Sequence, residues 1–170
     1  ILSNSVNKPN VDALNRKLQN AILANDEQGV RAAVERGAEV DALMASGYFV
    51  ENVAHLHHAA AFGTSSMVRL LVEGLGANVE VVRQSGWTAM HIASMFGNTE
   101  TVKTLAQLGA NIDTPNKNGC TPVYIAAERG HTETVRVLVQ LGANIDTPKE
   151  GGFTPVYVAS LEVQQQKKKR

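Results

Sequence analysis

Three imidazoles stand within four residues at His55, His57 and His58, in the stretch AHLHH. Side chains of this type so close together could ligate Zn²⁺ or Cu²⁺ through ring nitrogens. No cysteine or carboxylate stands at ligand spacing beside them. On a helix, neighbouring positions also point in different directions. The cluster therefore reads as structural, with metal binding through His55, His57 and His58 kept as the alternative. That alternative predicts metal content that is lost on His55→Ala or His58→Ala without unfolding.

Other chemistry is thinner. Cys120 and His131 are a thiol and a base, eleven residues apart. The stretch EGLGANV, Glu73 to Val79, half-matches a dinucleotide fingerprint. It lacks the third glycine, and a helical pattern rather than a strand precedes it. There is no Gly-x-Ser-x-Gly elbow, no phosphate loop and no His-Glu-x-x-His. Glu100 and Glu133 match one another one period apart, in the first turns of helices, where carboxylates favour the helix dipole. No catalytic, cofactor-binding or metal-ligating residue is assigned, and the chain is read as a non-enzyme.

The whole-chain balance agrees. Over 170 residues, 16 Lys and Arg offset 16 Asp and Glu, so no broad electrostatic footprint for nucleic acid exists. A local run, Lys167–Arg170, could be read by nuclear import receptors, anionic lipids or RNA; a terminal charge run is more often a solvated end. Apolar residues make up 44%, enough for a core. No run approaches the ~18 apolar residues of a membrane span. One cysteine allows no internal disulfide, which suits a reducing compartment. The N-terminus shows no signal peptide pattern. Cytoplasmic placement is expected, with the nucleus open to it through Lys167–Arg170. The chain opens on Ile rather than Met and ends abruptly, which reads as a segment of a longer protein.

What must position these residues is written as a repeat. LGANIDTP occurs at Leu108–Pro115 and again at Leu141–Pro148, 33 residues later. Gly86, Gly119 and Gly152 keep that period, as do Thr88, Thr121 and Thr154. A looser copy runs from Asn52 to Val82, and its Gly74 is one residue extra. An earlier segment, LQNAILANDEQGVRAAVERGAEVD, keeps the helical pattern and the closing Gly37-Ala38.

Each copy has its own local logic. Thr121-Pro122 reads as a helix start, with a hydroxyl cap and a proline at the first helical position. Gly130 can stop that helix in a left-handed conformation. His131 or Thr132 opens a second helix, whose apolar stripe is Val135, Leu138 and Val139, and Gly142 ends it. Two helices this short are marginal alone, whereas stacked copies bury both faces continuously.

The motifs GWTAMHIASMFGN and GCTPVYIAAERGH…LGANID resemble the ankyrin repeat over about residues 49–161, and less closely over 12–48. The resemblance implies an all-α solenoid of helix–turn–helix units joined by β-hairpin loops. It divides the chain into a flexible N-terminal segment at 1–11 and a capping repeat with an extended loop at 12–48. Repeats follow at 49–82, 83–115 and 116–148, then a C-terminal half-repeat at 149–163 and a basic tail at 164–170. In the family register, His57 and His91 take the motif histidine position, whose ring holds hairpin and helix together. Cys120 lies beside a hairpin tip as a partly exposed, non-catalytic thiol, and His131 follows the turn between helices.

Departures from the pattern carry expectations. Ala54-His55 replaces Thr-Pro, so that helix lacks a cap typically worth ~1 kcal/mol. Tyr124 and Tyr157 replace the motif histidine. The segment between Asp41 and Glu51 is longer than a family finger. At the C-terminus, Val163 stands where a stopping glycine belongs; the unit is either a polar cap or the end of a longer array. At the N-terminus, Leu14, Leu18, Ala21 and Ile22 line one face, with Asn15, Arg16, Lys17, Gln19 and Asn20 on the rest.

The resemblance implies a non-catalytic scaffold or adaptor that binds a protein on its concave face, through hairpin tips and first-helix ends. Those positions are Val50, Glu51, Val53, Ala61 and Phe62, then Gln84, Ser85, Trp87, Met95 and Phe96. Lys117, Asn118, Cys120, Glu128 and Arg129 follow, with Glu150 and Phe153 last. Trp87 is expected to anchor the partner, at about 2 kcal/mol, with the fold retained in Trp87→Ala. No small-molecule substrate, cofactor, nucleic acid or membrane partner is expected, and the isolated chain is expected to be monomeric. The alternative is a regulatory or targeting segment of a larger enzyme or channel.

Overall fold

A computed structural model describes residues 10–44, 53–62 and 64–168. Val50, Glu51 and the stop at Gly63 lie outside the described residues. The chain forms α1 (Val11–Leu23), α2 (Glu27–Glu35), a short pair β1 (Leu43–Met44) and β2 (Val53–Ala54), then α3 (His55–Phe62) and α4 (Ser65–Arg69). After these come α5 (Ala89–Phe96), α6 (Thr99–Gln107), α7 (Pro122–Glu128), α8 (Thr132–Gln140) and α9 (Pro155–Lys168). The first helices stack in order, α1 on α3, α3 on α5, α5 on α7 and α7 on α9. The second helices form their own row, α4 on α6 and α6 on α8.

The starts and stops are those the sequence spells. The hydroxyls of Thr88, Thr121 and Thr154 accept the backbone N–H of His91, Tyr124 and Tyr157 at 3.5, 3.4 and 3.3 Å. Each satisfies a donor that has no partner inside its helix. Gly97 ends α5 with φ +69°, and a Cβ there would stand 2.6 Å from His131 Nδ1. Backbone conformation and space both exclude a side chain. Ala59, Ala60, Ala93 and Ala126 are fully buried where the first helices meet, and their small size permits the close stacking.

Gly74 explains the loose register of its copy. The helix begun at Ser65 continues as a π turn over Leu70–Gly74. A wider turn absorbs one residue without breaking the helix. Leu70 and Leu71 stay buried, and the chain rejoins the period at Ala77, buried like Ala110 and Ala143.

The repeated word is a joint between units. Asp113 Oδ1 accepts the Asn144 backbone N–H at 2.9 Å, and Glu80 Oε1 accepts that of Asn111 at 2.7 Å. Asp41 accepts that of Asn78 on both oxygens at 3.1 Å. In the first unit, Asn15 Oδ1 takes the matching role, accepting the Glu39 N–H at 2.7 Å. Asn15 is therefore buried, contrary to its expected place on the polar face, because it satisfies that donor from inside. Leu14, Leu18 and Ile22 are buried as expected.

The fingers are lean hairpins. Arg83, Asn116 and Lys149 donate their N–H to the carbonyls of Trp87, Cys120 and Phe153 at 3.1, 2.9 and 3.0 Å. Adjacent tips are tied by Lys117 N–H to the Ser85 carbonyl at 3.1 Å and Glu150 N–H to the Asn118 carbonyl at 3.3 Å. Among the described residues, only β1 and β2 form a strand pair, antiparallel with Leu43 opposite Ala54. α9 runs unbroken across the expected boundary at 163.

Candidate partner-binding surface

The histidines serve the joints. His57 donates Nε2–H to the Trp87 carbonyl at 2.9 Å, and His91 donates Nε2–H to the Cys120 carbonyl at 3.0 Å. A carbonyl only accepts, so Nε2 carries the proton and Nδ1 is left as an acceptor. In His91, Nδ1 accepts the Thr88 backbone N–H at 3.2 Å. Gln19 donates its amide to His58 Nε2 at 3.1 Å, binding α1 to α3. His55 is fully buried, and neither of its ring nitrogens has a hydrogen-bond partner among the described residues. Burial lowers the pKa of His55, His58 and His91 to about 4 and lowers that of His57 as well. The three rings of the AHLHH stretch do not converge. Among the described residues, no three His, Cys, Asp or Glu side chains are placed to hold a metal ion.

Cys120 corrects an expectation. It is 7% exposed rather than partly open, and it packs with Tyr124, Ile125 and Val158. Burial pushes its thiol pKa up, away from the reactive thiolate. It is removed from the surface a partner could touch. His131, its imagined base, donates instead to the Met95 carbonyl at 3.0 Å.

Trp87 is also less open than expected. It is half-buried against both core clusters, with the Arg83 guanidinium 4.8 Å from its ring centroid and the His91 ring 5.7 Å away. The ring fills space between α5 and the next unit, so Trp87→Ala removes packing as well as surface. Met95 is half-buried in the same cluster.

The open positions are elsewhere. Phe62 and Phe96, at the ends of α3 and α5, are 43% and 41% exposed. Their ring centroids lie 5.6 Å apart at 50°, a tilted aromatic pair. They face solvent and each other. One period further, Glu128 and Arg129 are exposed at the end of α7. Arg69, Lys103 and Arg136 pair with Glu73, Glu100 and Glu133 on their own helical segments, whereas Arg129 has no carboxylate partner among the described residues. Gln84, Lys117, Asn118 and Phe153 are exposed at the tips, and Ser85 is half-buried. Val53 lies in β2.

The family model described as ankyrin repeats (3 copies) matches residues 18–116 and 108–167. The chain belongs to the ankyrin repeat family. Ankyrin repeats are in general protein–protein interaction modules and typically non-catalytic. No helix among the described residues is long and apolar enough to cross a membrane.

Several working residues of this ankyrin array had no distinctive spelling. Asn98 donates its amide to the carbonyls of Ala60 and Ala61 at 2.8 and 2.9 Å, tying α5–α6 to the end of α3. His131 does the equivalent one unit later. Their shared position, directly after the stopping glycine, was the available signal. The carboxylates of Asp41, Glu80 and Asp113 could have been found only as one acidic residue at a repeating place.

Proposed function

We propose that this ankyrin array is a non-catalytic scaffold or adaptor that binds another protein along its hairpin tips and first-helix ends, the face expected to be concave. The observation that carries this reading is the Phe62–Phe96 pair. Two aromatic rings are left more than two-fifths exposed, in contact, at the positions where ankyrin partners dock. Aromatic side chains give large contact area at modest entropic cost and are enriched at interface hot spots. Arg129 adds an exposed guanidinium one unit along the same row, with no carboxylate partner among the described residues.

Affinity capture from the native cell extract tests this, with wild type and the Phe62→Ala/Phe96→Ala double variant as baits. Proteins captured by wild type and lost with a folded double variant support the surface. An unchanged capture set overturns it. Trp87→Ala is a poorer bait, since the half-buried ring also serves the fold.

A further inference from the structure

The hairpin tip Lys117-Asn118-Gly119-Cys120 holds the one Asn-Gly pair of the chain. Such a pair suits a tight turn. It also leaves the asparagine amide open to attack, since glycine has no Cβ to shield its backbone nitrogen.

Asn118 is exposed, with the next tip already tied beside it at Glu150. Its hydrogen bonds run through the backbone. Its N–H donates to Asn116 Oδ1 at 2.9 Å, and its carbonyl accepts the Glu150 N–H at 3.3 Å. The side-chain amide has no hydrogen-bond partner among the described residues.

Other asparagines are held or shielded. Asn116 is buried, and its Oδ1 accepts the N–H groups of Asn118 and Cys120. Asn78, Asn111 and Asn144 are exposed, but each Oδ1 accepts the N–H two residues on, at 3.0, 2.9 and 2.9 Å. The β-branched Val79, Ile112 and Ile145 follow them and crowd the nitrogen that would attack. At position 119 the fold demands glycine. Its φ is +74°, and a Cβ would stand 3.1 Å from the Glu150 backbone nitrogen. The residue that leaves Asn118 open is thus one the stacking of tips requires.

We propose that Asn118 is a self-modification site, at which the Gly119 backbone nitrogen converts the side-chain amide to a carboxylate. Gly119 N–H loses its proton to solvent base, and the nitrogen bonds to Asn118 Cγ. The Cγ–N bond of the amide breaks, and ammonia leaves with a proton returned from solvent. Water then opens the succinimide ring. Opening at Cγ gives aspartate. Opening at the backbone carbonyl gives isoaspartate, with the chain rerouted through Cγ. Water enters, ammonia leaves and nothing is oxidised. Gly119 N–H donates to the Asn116 carbonyl at 2.9 Å, so attack waits for the tip to open. In isoaspartate the carbonyl that held the Glu150 N–H has become a free carboxylate, and the tie between tips is lost. Either product sets a negative charge next to Lys117. An effect on partner binding rests on the reading of the tips as the docking face; the conversion itself does not.

Warming the full chain in mildly alkaline buffer tests this, read by peptide mass spectrometry, ammonia release and enzymatic methylation of isoaspartate. Asn118 is expected to convert several-fold faster than Asn78, Asn111 and Asn144, to a mixture of aspartate and isoaspartate. Hydrogen exchange at Glu150 is expected to quicken as isoaspartate accumulates. Asn118→Gln, whose amide would have to close a larger ring, is expected to lose the fast phase of ammonia release with an unchanged melt. An Asn118 that keeps its amide while the urea-unfolded chain converts overturns the proposal. So does conversion no faster than at Asn111, or a fast ammonia phase that survives Asn118→Gln. None of these readouts involves a partner, so they succeed or fail apart from the docking reading.

Discussion

His91 on α5 donates its Nε2–H to the Cys120 carbonyl at 3.0 Å, while its Nδ1 accepts the Thr88 backbone N–H. One ring caps its own helix and holds the hairpin of the next unit, and the two bonds together set its tautomer. His57 repeats the outward bond one unit earlier, to the Trp87 carbonyl. Stacking in this array is therefore partly polar, carried by neutral imidazoles inside the core.

Replacing His91 removes both bonds, leaving the buried Thr88 N–H without its acceptor and the Cys120 carbonyl with the Asn116 N–H alone. His91→Ala is expected to lower the unfolding free energy by about 2–4 kcal/mol. Urea denaturation followed by circular dichroism measures this. A loss under about 0.5 kcal/mol would show that the ring is incidental.

Acid should loosen the array before it affects a typical helical domain. His55, His58 and His91 have pKa values lowered to about 4, and that of His57 is lowered, chiefly by burial in each case. In the unfolded chain these groups titrate near ~6.5. With the folded pKa below the unfolded one, the unfolded state takes up protons first as pH falls. Their contribution to stability is complete above ~6.5 and is lost progressively as pH falls toward 4. The urea midpoint is expected to be flat from pH 8 to 7 and to fall below 6.5. His91→Gln, which keeps a donor but cannot titrate, should flatten that slope. Identical slopes would place the acid sensitivity elsewhere.

Trp87 and Phe96 should separate stability from binding. Trp87→Ala opens space beside α5 and α7 and is expected to cost about 2–3 kcal/mol, below the full range for a wholly buried ring. Phe96→Ala removes a side chain that mainly meets solvent and Phe62, so its cost should stay within about 1 kcal/mol. Thermal melts of the two variants check the order, and a reversed order would contradict the burial seen here.

The carboxylate joints should be measurable one at a time. Asp113→Ala removes the acceptor for the Asn144 N–H and is expected to cost about 1 kcal/mol, the bond being partly open to water. Hydrogen exchange at Asn144 should quicken, while exchange at Asn111, held by Glu80, stays as it was. Equal quickening at both sites would mean the joints do not act locally.

Much of this protein was legible in its letters because the repeat is local and periodic. The Thr starts, the glycine stops and the 33-residue spacing dictate helix pairs, and helix pairs this short must stack. The family and the order of helices follow from that pattern, and the structural reading of His57 and His91 from the resemblance to the family. Burial did not, since exposure depends on what the next unit places over a side chain. Tyr124 and Tyr157 share one letter and one register position, yet one is buried and the other is 47% exposed. Cys120 and Trp87 stand at a hairpin, where sequence suggests a surface, and neighbouring units cover them. Gly74 was visible as an insertion, but only the helix could show that a π turn absorbs it. Sequence alone determined that these units stack. The tertiary structure decided how far each aromatic ring is covered, because only packing across units says what lies over a side chain.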